Sequence, residues 1–489
     1  MTDSVRVRYA PSPTGFPHVG NIRTALFNWL FARRYGGKFI VRIEDTDVAR
    51  RVEGAVEAIL DGLRWLGLDW DEGPEVGGDY GPYFQSQRLD RYHEAADFLV
   101  AHDYAYKCYC SPQRLEEMRA EQTRRKLAPG YDRRCRKLTS EECTRKEAEG
   151  TVPVVRFKMP LDGQTRFNDL IRGSVVFENS TLDDMVLLKS DGYPTYHLAN
   201  IVDDHAMAIS HVLRAEEWLS STPRHVLLYQ AFGYEPPQFA HLPMILGPDR
   251  SKLSKRHGAV SITEYRDQGF LPEAMFNFLT LLGWSLDDKT EIIPREDIVK
   301  NFSLERISRT AAIFNVQKLS WMNGLYIRKL EPDDFARRSI PFLEKGLPPE
   351  VKRPLSPEYV RKVMPLVQER AKTMIEVTEL TTFLFMDIDY ETGLLIEKGM
   401  TRDTAIKALE VSRERLDKAA SFGEALLEAM LRPLAVELEL KTGQLFGTLR
   451  IATTGRTAAP PLFQTMVVLG KEECLKRIDK AVDKLQRLS

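Results

Sequence analysis

A chain of 489 residues, 43% hydrophobic and 28% charged, has the length for about three domains and the composition of an ordinary globular protein. No apolar run approaches the roughly 20 residues of a membrane-crossing helix, and Met1–Val5 lacks a basic-then-apolar leader, so no membrane is expected and the expected compartment is the cytoplasm. The formal net charge of −1 excludes a uniformly basic nucleic-acid binder while leaving room for a local phosphate-facing patch, and five cysteines make a poor disulfide framework for so long a chain.

Val5, Val7 and Tyr9 alternate with Arg6 and Arg8, which predicts a short strand running into the turn Pro11-Ser-Pro-Thr-Gly15. A helix follows, with Ile22, Ala25, Leu26, Trp29 and Leu30 on its apolar face, and Gly36-Gly37 ends it before the strand Phe39–Ile43. In an open parallel sheet ligands collect beyond the carboxyl ends of strands, so loops 10–20 and 44–47 should lie close together. From about 90 to 185 the character changes to basic helical stretches, clustered cysteines and the apolar runs Val152–Phe157 and Ser174–Phe177, which predicts an insertion over 91–184. Its basic residues, Arg124-Arg125-Lys126 and Arg133-Arg134 with Arg136-Lys137 among them, suit either a phosphate-facing surface or a solvated helix face. Strand and helix resume at Met185–Leu188, His197–Ile201 and His225–Phe232, and beyond about 330 the pattern is helical, broken at Pro348-Pro349, Gly393 and Pro460-Pro461.

Two segments carry chemistry. His18 and Gly20, at the junction of the first strand and helix, place an imidazole and a close backbone beside a helix amino terminus, a setting for phosphate. Lys252 and Lys255, three apart in Leu246–Gly258, put two ammonium groups where charge on a reacting triphosphate could be met; a plain surface loop is the alternative for either segment alone. Together, His18-Val-Gly-Asn21 and Lys252-Leu-Ser-Lys-Arg256 resemble the two signature motifs of class I aminoacyl-tRNA synthetases, with Asn21 in place of the second motif histidine. Arg8–Gly15, Arg42–Asp47, Gly192–Asn200, Leu213–Trp218 and Trp321–Gly324 narrow the resemblance to the bacterial glutamyl-tRNA synthetases, over nearly the whole chain.

That resemblance implies a multidomain α/β plus all-α protein. A split Rossmann-like catalytic domain over 1–90 and 185–245 would carry an inserted α/β acceptor-stem domain at 91–184. A signature-loop and stem-contact domain at 246–325 would precede helical anticodon-binding domains at 326–489. The activity implied is ATP-dependent attachment of L-glutamate to tRNA(Glu) through glutamyl-adenylate, with Mg²⁺ accompanying ATP and a monomer as the expected assembly. The helical carboxyl half favours glutamate over glutamine, whose synthetases carry a β-barrel there. An adenylating enzyme without a tRNA role and a noncatalytic RNA-binding paralogue are the competing readings; the basic insertion with the helical half opposes the first, and intact His18, Lys252 and Lys255 oppose the second.

Residue by residue, the resemblance assigns His18, Lys252 and Lys255 to catalysis and, with Gly20, to ATP. It sets Arg8, Ala10, Ser12, Glu44, Tyr196, Asn200, Arg214 and Trp218 around glutamate, with Glu44 for the ammonium group and Arg8 and Arg214 for the side-chain carboxylate. Alternatives are Arg8 on a strand face with Arg6, Tyr196 in the core, and Arg214 paired with Glu216 or Glu217; Asp45 and Asp47 are expected to support their loop. Arg370, in Gln368–Thr373, is placed at the anticodon by the same resemblance, with an exposed helical ion pair as the alternative. Cys108, Cys110 and Cys135 resemble the cysteines of zinc-containing members, but Lys137 stands at the usual histidine position. Tyr131-x-x-x-Cys135 resembles the ending of a related synthetase zinc site, which makes Tyr131 the expected fourth ligand of a structural Zn²⁺, with Cys143 as a second choice and reduced, metal-free cysteines as the alternative.

Overall fold

The structure, a computed structural model, describes residues 4–128, 130–254, 256 and 261–488. It forms two compact units, Met1–Arg266 with Pro272–Val316 and Asp267–Leu271 with Gln317–Ser489. Among the described residues no helix is long and apolar enough to cross a membrane.

The first unit opens with β1 (Arg6–Tyr9), α1 (Val19–Arg34) and β2 (Lys38–Val41). The two strands pair in parallel from Arg6↔Lys38 to Tyr9↔Val41, as expected of the strand, helix, strand pattern. The turn into β2 requires glycine: a Cβ on Gly37 would sit 2.2 Å from the Val5 carbonyl oxygen. All of β1 is buried, Arg6 and Arg8 included, so its polar face meets charged partners instead of water.

After α2 (Ala55–Trp65) and α3 (Leu89–Ala101) come β3 (Ala105–Cys108), α4 (Pro112–Arg124), α5 (Ser140–Ala148), β4 (Val154–Phe157), the hairpin β5 (Gln164–Asp169) and β6 (Gly173–Glu178), and β7 (Val186–Leu188). Then follow α6 (Tyr196–Ala206), β8 (His211–Ala215), α7 (Thr222–Phe232) and β9 (Gln238–Leu242). Strand partners differ from the chain-order expectation. β7, read as the return to the catalytic half, pairs with β4 in the antiparallel sheet β3-β4-β7, whereas the β5–β6 hairpin, read as part of the insertion, joins β8 and β9 in the order β6-β5-β9-β8. Alternation along a strand marks its faces but not its neighbour, which is why the sequence pattern missed this. The Ser210 amide donates to the Arg6 carbonyl at 3.0 Å, which sets β8 beside β1 and brings their carboxyl ends together. Leu99, Leu187, Leu198, Ile201, Val212 and Leu228 belong to the apolar core beneath. The unit closes with β10 (Ile245–Leu246), α8 (Ile262–Asp267), α9 (Pro272–Leu281), α10 (Arg295–Asn301) and β11 (Ala312–Ile313), β11 lying parallel to β10; Leu246–Arg266 and Pro272–Val316 thus group with the catalytic sheet.

The second unit holds no β-strand among its described residues. Its helices are α11 (Val316–Arg328), α12 (Pro332–Gly346), α13 (Pro357–Val363), α14 (Met374–Thr381), α15 (Arg402–Lys418), α16 (Glu424–Glu437), α17 (Thr442–Thr454), α18 (Leu462–Leu469) and α19 (Lys471–Gln486). The anticipated breaks fall between helices, Pro348 after α12 and Pro461 before α18. Leu409, Leu416, Leu431, Leu449 and Ile478 are in the core of its carboxyl half.

Candidate active site

At the carboxyl ends of β1, β2 and β8 lies a cavity of about 690 Å³. Arg8, Ala10, Ser12, Glu44, Tyr196, Arg214 and Trp218 all line it. Asn200 does not: it is buried behind Arg8, and its Oδ1 accepts from Arg8 Nη2 at 3.0 Å. Arg8 is itself neutralised, its Nε donating to both Asp204 oxygens at 3.1 and 3.2 Å. Asp204 also accepts from Arg42 Nη1 at 2.7 Å, and Arg42 Nη2 donates to Glu44 Oε1 at 3.1 Å. Burial pushes the Asp204 carboxyl up, but Arg8 and Arg42 outweigh it and hold that group below its ordinary range. For Glu44 the balance is reversed: burial raises it to about 7 against the opposition of Arg42 and Arg8. Asp45 supports its loop, as expected, by accepting from the Ser86 amide at 2.8 Å and its hydroxyl at 2.7 Å.

Arg214 is different. It is 4% exposed, and each of its donors meets a neutral acceptor: Nε to His241 Nε2 at 3.1 Å, Nη1 to the Tyr196 hydroxyl at 3.0 Å and to His225 Nδ1 at 3.2 Å, Nη2 to Thr222 Oγ1 at 2.8 Å. The alternative pairing with its neighbours does not occur, because Glu216 engages Arg172 and Glu217 engages Lys252. His225 is held well below its ordinary pKa by burial and then by Arg214, so it adds no charge. Tyr196 is half-buried, its ring 4.2 Å from that of Trp218. The cavity thus contains a buried guanidinium with no anion among its partners. Asp204, Arg42, Thr222, His225 and His241 were not singled out from the sequence; only Arg42, two residues before Glu44 in the segment Arg42–Asp47, carried a signal there.

A second cavity, of about 880 Å³, adjoins the first, sharing Asn21, Ala215 and Glu217 in its wall. His18, Gly20 and Lys252 line it, with Phe16, Val52, Met244, Ile245 and Leu253 as apolar surface for a flat ring. His18 caps α1: its Nδ1 accepts from the Gly20 amide at 3.0 Å. A Cβ on residue 20 would stand 3.3 Å from that nitrogen, so glycine lets the imidazole lie close. Because Nδ1 accepts, the neutral ring carries its proton on Nε2, available as a donor; burial, then Lys252, lowers its pKa and keeps it neutral. Lys252 rests on Glu217, and Lys255 lies outside the described residues.

In the insertion, the sulfurs of Cys108, Cys110 and Cys135 lie within 4.8 Å of one another. The Tyr131 hydroxyl stands 3.3 Å from Cys108 Sγ and 3.4 Å from Cys110 Sγ, and accepts from the Cys135 amide at 3.0 Å. The second choice, Cys143, faces Tyr109 and stands outside this group. Three thiolates on one divalent cation leave a negative charge, which Arg156, 4.0 Å over the Tyr131 ring, and Arg114, donating to Cys110 Sγ at 3.3 Å, are placed to offset. Four converging donors and two cations fit a structural Zn²⁺. In the second unit Arg370 is exposed in a turn, not a helix, and donates to the Ala459 carbonyl at 2.9 Å; it is not held in an ion pair.

Two adjoining cavities at the carboxyl ends of a parallel sheet are a setting for ligand binding, and comparison with known proteins gives the class. The family described as tRNA synthetases class I (E and Q), catalytic domain, matches residues 4–321, and an anticodon binding domain matches residues 334–482. The chain belongs to the class I tRNA synthetases for glutamate and glutamine. A glutamate–tRNA ligase of Dehalococcoides mccartyi (strain CBDB1) is 60% identical over 489 residues, 100% of this chain and 99% of that protein. One from Moorella thermoacetica is 50% identical over 480 residues, 98% of each chain. The crystal structure of a glutamate tRNA ligase from Elizabethkingia meningosepticum in complex with its amino acid superimposes with a TM-score of 0.90 at 37% identity, covering 99% of this chain and 100% of that one.

Proposed function

We propose that this protein is a glutamate–tRNA ligase that works in the cytoplasm as a monomer, joining L-glutamate to tRNA(Glu) through glutamyl-adenylate. The observation that carries the reading is Arg214, a buried guanidinium in the amino-acid cavity whose partners are all neutral. A buried charge is retained where something pairs with it, and the side-chain carboxylate of glutamate supplies that anion. Glutamine would turn amide hydrogens toward guanidinium hydrogens. Glu44, with Oε1 held by Arg42, receives the α-ammonium group. Arg8, already neutralised by Asp204, shapes the wall, and Asn200 orients Arg8 from behind.

The α-carboxylate needs no general base, since it is ionised at neutral pH; its attack on the α-phosphorus of ATP is helped by positioning and by charge placed where charge develops. His18 Nε2–H donates to a phosphate oxygen, and Lys252 and Lys255 follow the departing pyrophosphate. Glu217 and Glu264 are the carboxylates of the second cavity's wall that would hold Mg²⁺ with ATP, and the ion would supply charge neutralisation at the phosphates. The terminal adenosine hydroxyl of tRNA then attacks the adenylate carbonyl; the new ester C–O bond forms, the hydroxyl proton is lost, and the acyl–phosphate C–O bond breaks to release AMP. Cys108, Cys110, Cys135 and Tyr131 would hold a structural Zn²⁺, which would tie the insertion together, and Arg370 meets the anticodon. Glutamate-dependent exchange between pyrophosphate and ATP, measured with and without tRNA(Glu), tests the function: exchange that requires both glutamate and the tRNA is expected, and exchange indifferent to the amino acid would defeat it.

A further inference from the structure

Arg214 is held from the insertion side of the sheet by two residues in series. Asp169, the last residue of β5, lies beside Phe239 of β9, and its Oδ2 is 2.6 Å from His241 Nδ1. His241 Nε2 in turn is 3.1 Å from Arg214 Nε. All three side chains are buried.

The proton positions are determined from both ends. A guanidinium only donates, so His241 Nε2 accepts. Asp169 Oδ1 accepts from the amides of Ile171 at 3.0 Å and Arg172 at 2.8 Å, and Oδ2 from the His241 amide at 3.1 Å, so the carboxylate is ionised and receives Nδ1–H. Burial, then Arg214, outweighs Asp169 and keeps the His241 pKa below its ordinary value, so the ring is neutral. A second series leaves the other edge of Arg214: Nη1 donates to His225 Nδ1, and His225 Nε2–H donates to His197 Nδ1 at 3.0 Å.

We propose that Asp169, acting through the Nδ1–H tautomer of His241, is a specificity-determining positioning residue that aims Arg214 at the glutamate side-chain carboxylate. The inference rests on the assignment of Arg214 to that carboxylate. Its physical content is separation: Asp169 fixes the orientation of the guanidinium through one imidazole without occupying the place of its anion. A carboxylate directly on Arg214 would hold it equally well and cancel the charge that selects an acid. The hairpin that carries Asp169 belongs to the segment inserted between the catalytic halves, so the same insertion that follows α3 also builds the amino-acid pocket.

Asp169→Asn is the informative variant. The Ile171 and Arg172 amides keep Oδ1 as the acceptor, so the new NH₂ takes the place of Oδ2; the His241 amide is left to Oδ1, 3.4 Å away, and the NH₂ faces His241 Nδ1 and drives the ring to Nε2–H, where it meets Arg214 Nε–H donor to donor. Loss of one charge-assisted bond of this kind should lower kcat/KM for glutamate about ten- to a hundredfold and erode the preference over glutamine, with the KM for ATP unchanged within about twofold. ¹⁵N NMR of the unmodified protein gives a reading independent of any variant's folding: a pyrrole-type Nδ1 and a pyridine-type Nε2 for His241 are expected, and the opposite tautomer would overturn the proposal. A folded Asp169→Asn protein with unchanged glutamate kinetics would also overturn it. Arg214→Ala, run in parallel, separates the causes. If it keeps the amino-acid preference, the pocket reading and this inference fall together. If it loses the preference while Asp169→Asn retains it, the relay alone is wrong.

Discussion

Replacing Arg214 by alanine should collapse the preference for glutamate over glutamine while leaving the fold intact. The guanidinium is 4% exposed and its partners, His241, Tyr196, His225 and Thr222, are neutral, so its deletion strands no buried anion and water can occupy the vacated volume. The loss falls on the bound substrate. Truncating one side of a buried, hydrogen-bonded charge pair costs about 3 kcal/mol, within a range of about 2–5, or roughly a hundredfold in kcat/KM at about 1.4 kcal/mol per factor of ten. Glutamine brings no full charge to the guanidinium, so its kcat/KM should fall by less, about two- to tenfold for a hydrogen bond worth about 0.5–1.5 kcal/mol. The assay is amino-acid-dependent pyrophosphate exchange in the presence of tRNA(Glu), with glutamate and glutamine compared on one preparation whose thermal transition matches that of the parent. An unchanged ratio of the two efficiencies, or an equal fall in both, would refute the electrostatic argument and leave Arg214 a structural residue.

Glu44 titrates near 7 because it is buried, so kcat/KM for glutamate should fall about tenfold per unit as pH drops below about 7, where protonation removes the partner of the α-ammonium group; Glu44→Gln should give a low, flat profile across the same range. Lys255→Ala should slow adenylate formation roughly a hundred- to a thousandfold with glutamate affinity little changed, read by single-turnover kinetics, and near-normal rates would remove it from the triphosphate. Elemental analysis of protein purified without added metal should find one zinc per chain, lost in Cys108→Ser/Cys110→Ser; retention in Tyr131→Phe would take the phenol out of the ligand set. Arg370→Ala should alter the relative charging of tRNA(Glu) variants changed at the third anticodon position, and identical relative efficiencies would show no readout there.

What was legible in the sequence was local. The glycine pair after α1, the histidine two residues before Gly20, and the apolar stripe Ile22–Leu30 each act within a few residues of chain, and the structure places all of them as read. The residues taken for glutamate recognition also converge, Asn200 alone stepping back from the cavity. What was hidden is pairing across sequence distance. Arg8 and Asp204 are separated by 196 positions, Arg42 and Asp204 by 162, Asp169 and His241 by 72. Nothing near Arg8 in the chain announces that its charge is cancelled, and nothing near Arg214 announces that Glu216 and Glu217 have other partners. His241 sits in the apolar stretch Phe239–Leu242, which gave no sign of a polar role. The strand partners failed for the same reason: the local pattern marks β5 and β7 as strands, and only tertiary packing decides which of them joins β9.

The comparison of the two arginines that sequence reasoning treated alike shows why the distribution of counter-ions, more than the number of cations, defines the pocket. Arg8 and Arg42 share Asp204, and Glu44 completes a network in which positive and negative groups alternate. Such a network is rigid and nearly neutral, so by itself it would bind the amide of glutamine about as readily as the acid of glutamate. It suits the part of the substrate common to both, the α-ammonium and α-carboxylate. Arg214 stands outside that network, with imidazoles, a phenol and a hydroxyl around it, and Asp169 reaches it only through a neutral ring. On the proposed assignment, the desolvation left unmatched there is returned when the side-chain carboxylate of glutamate enters, and binding of the correct side chain completes the electrostatics of the site.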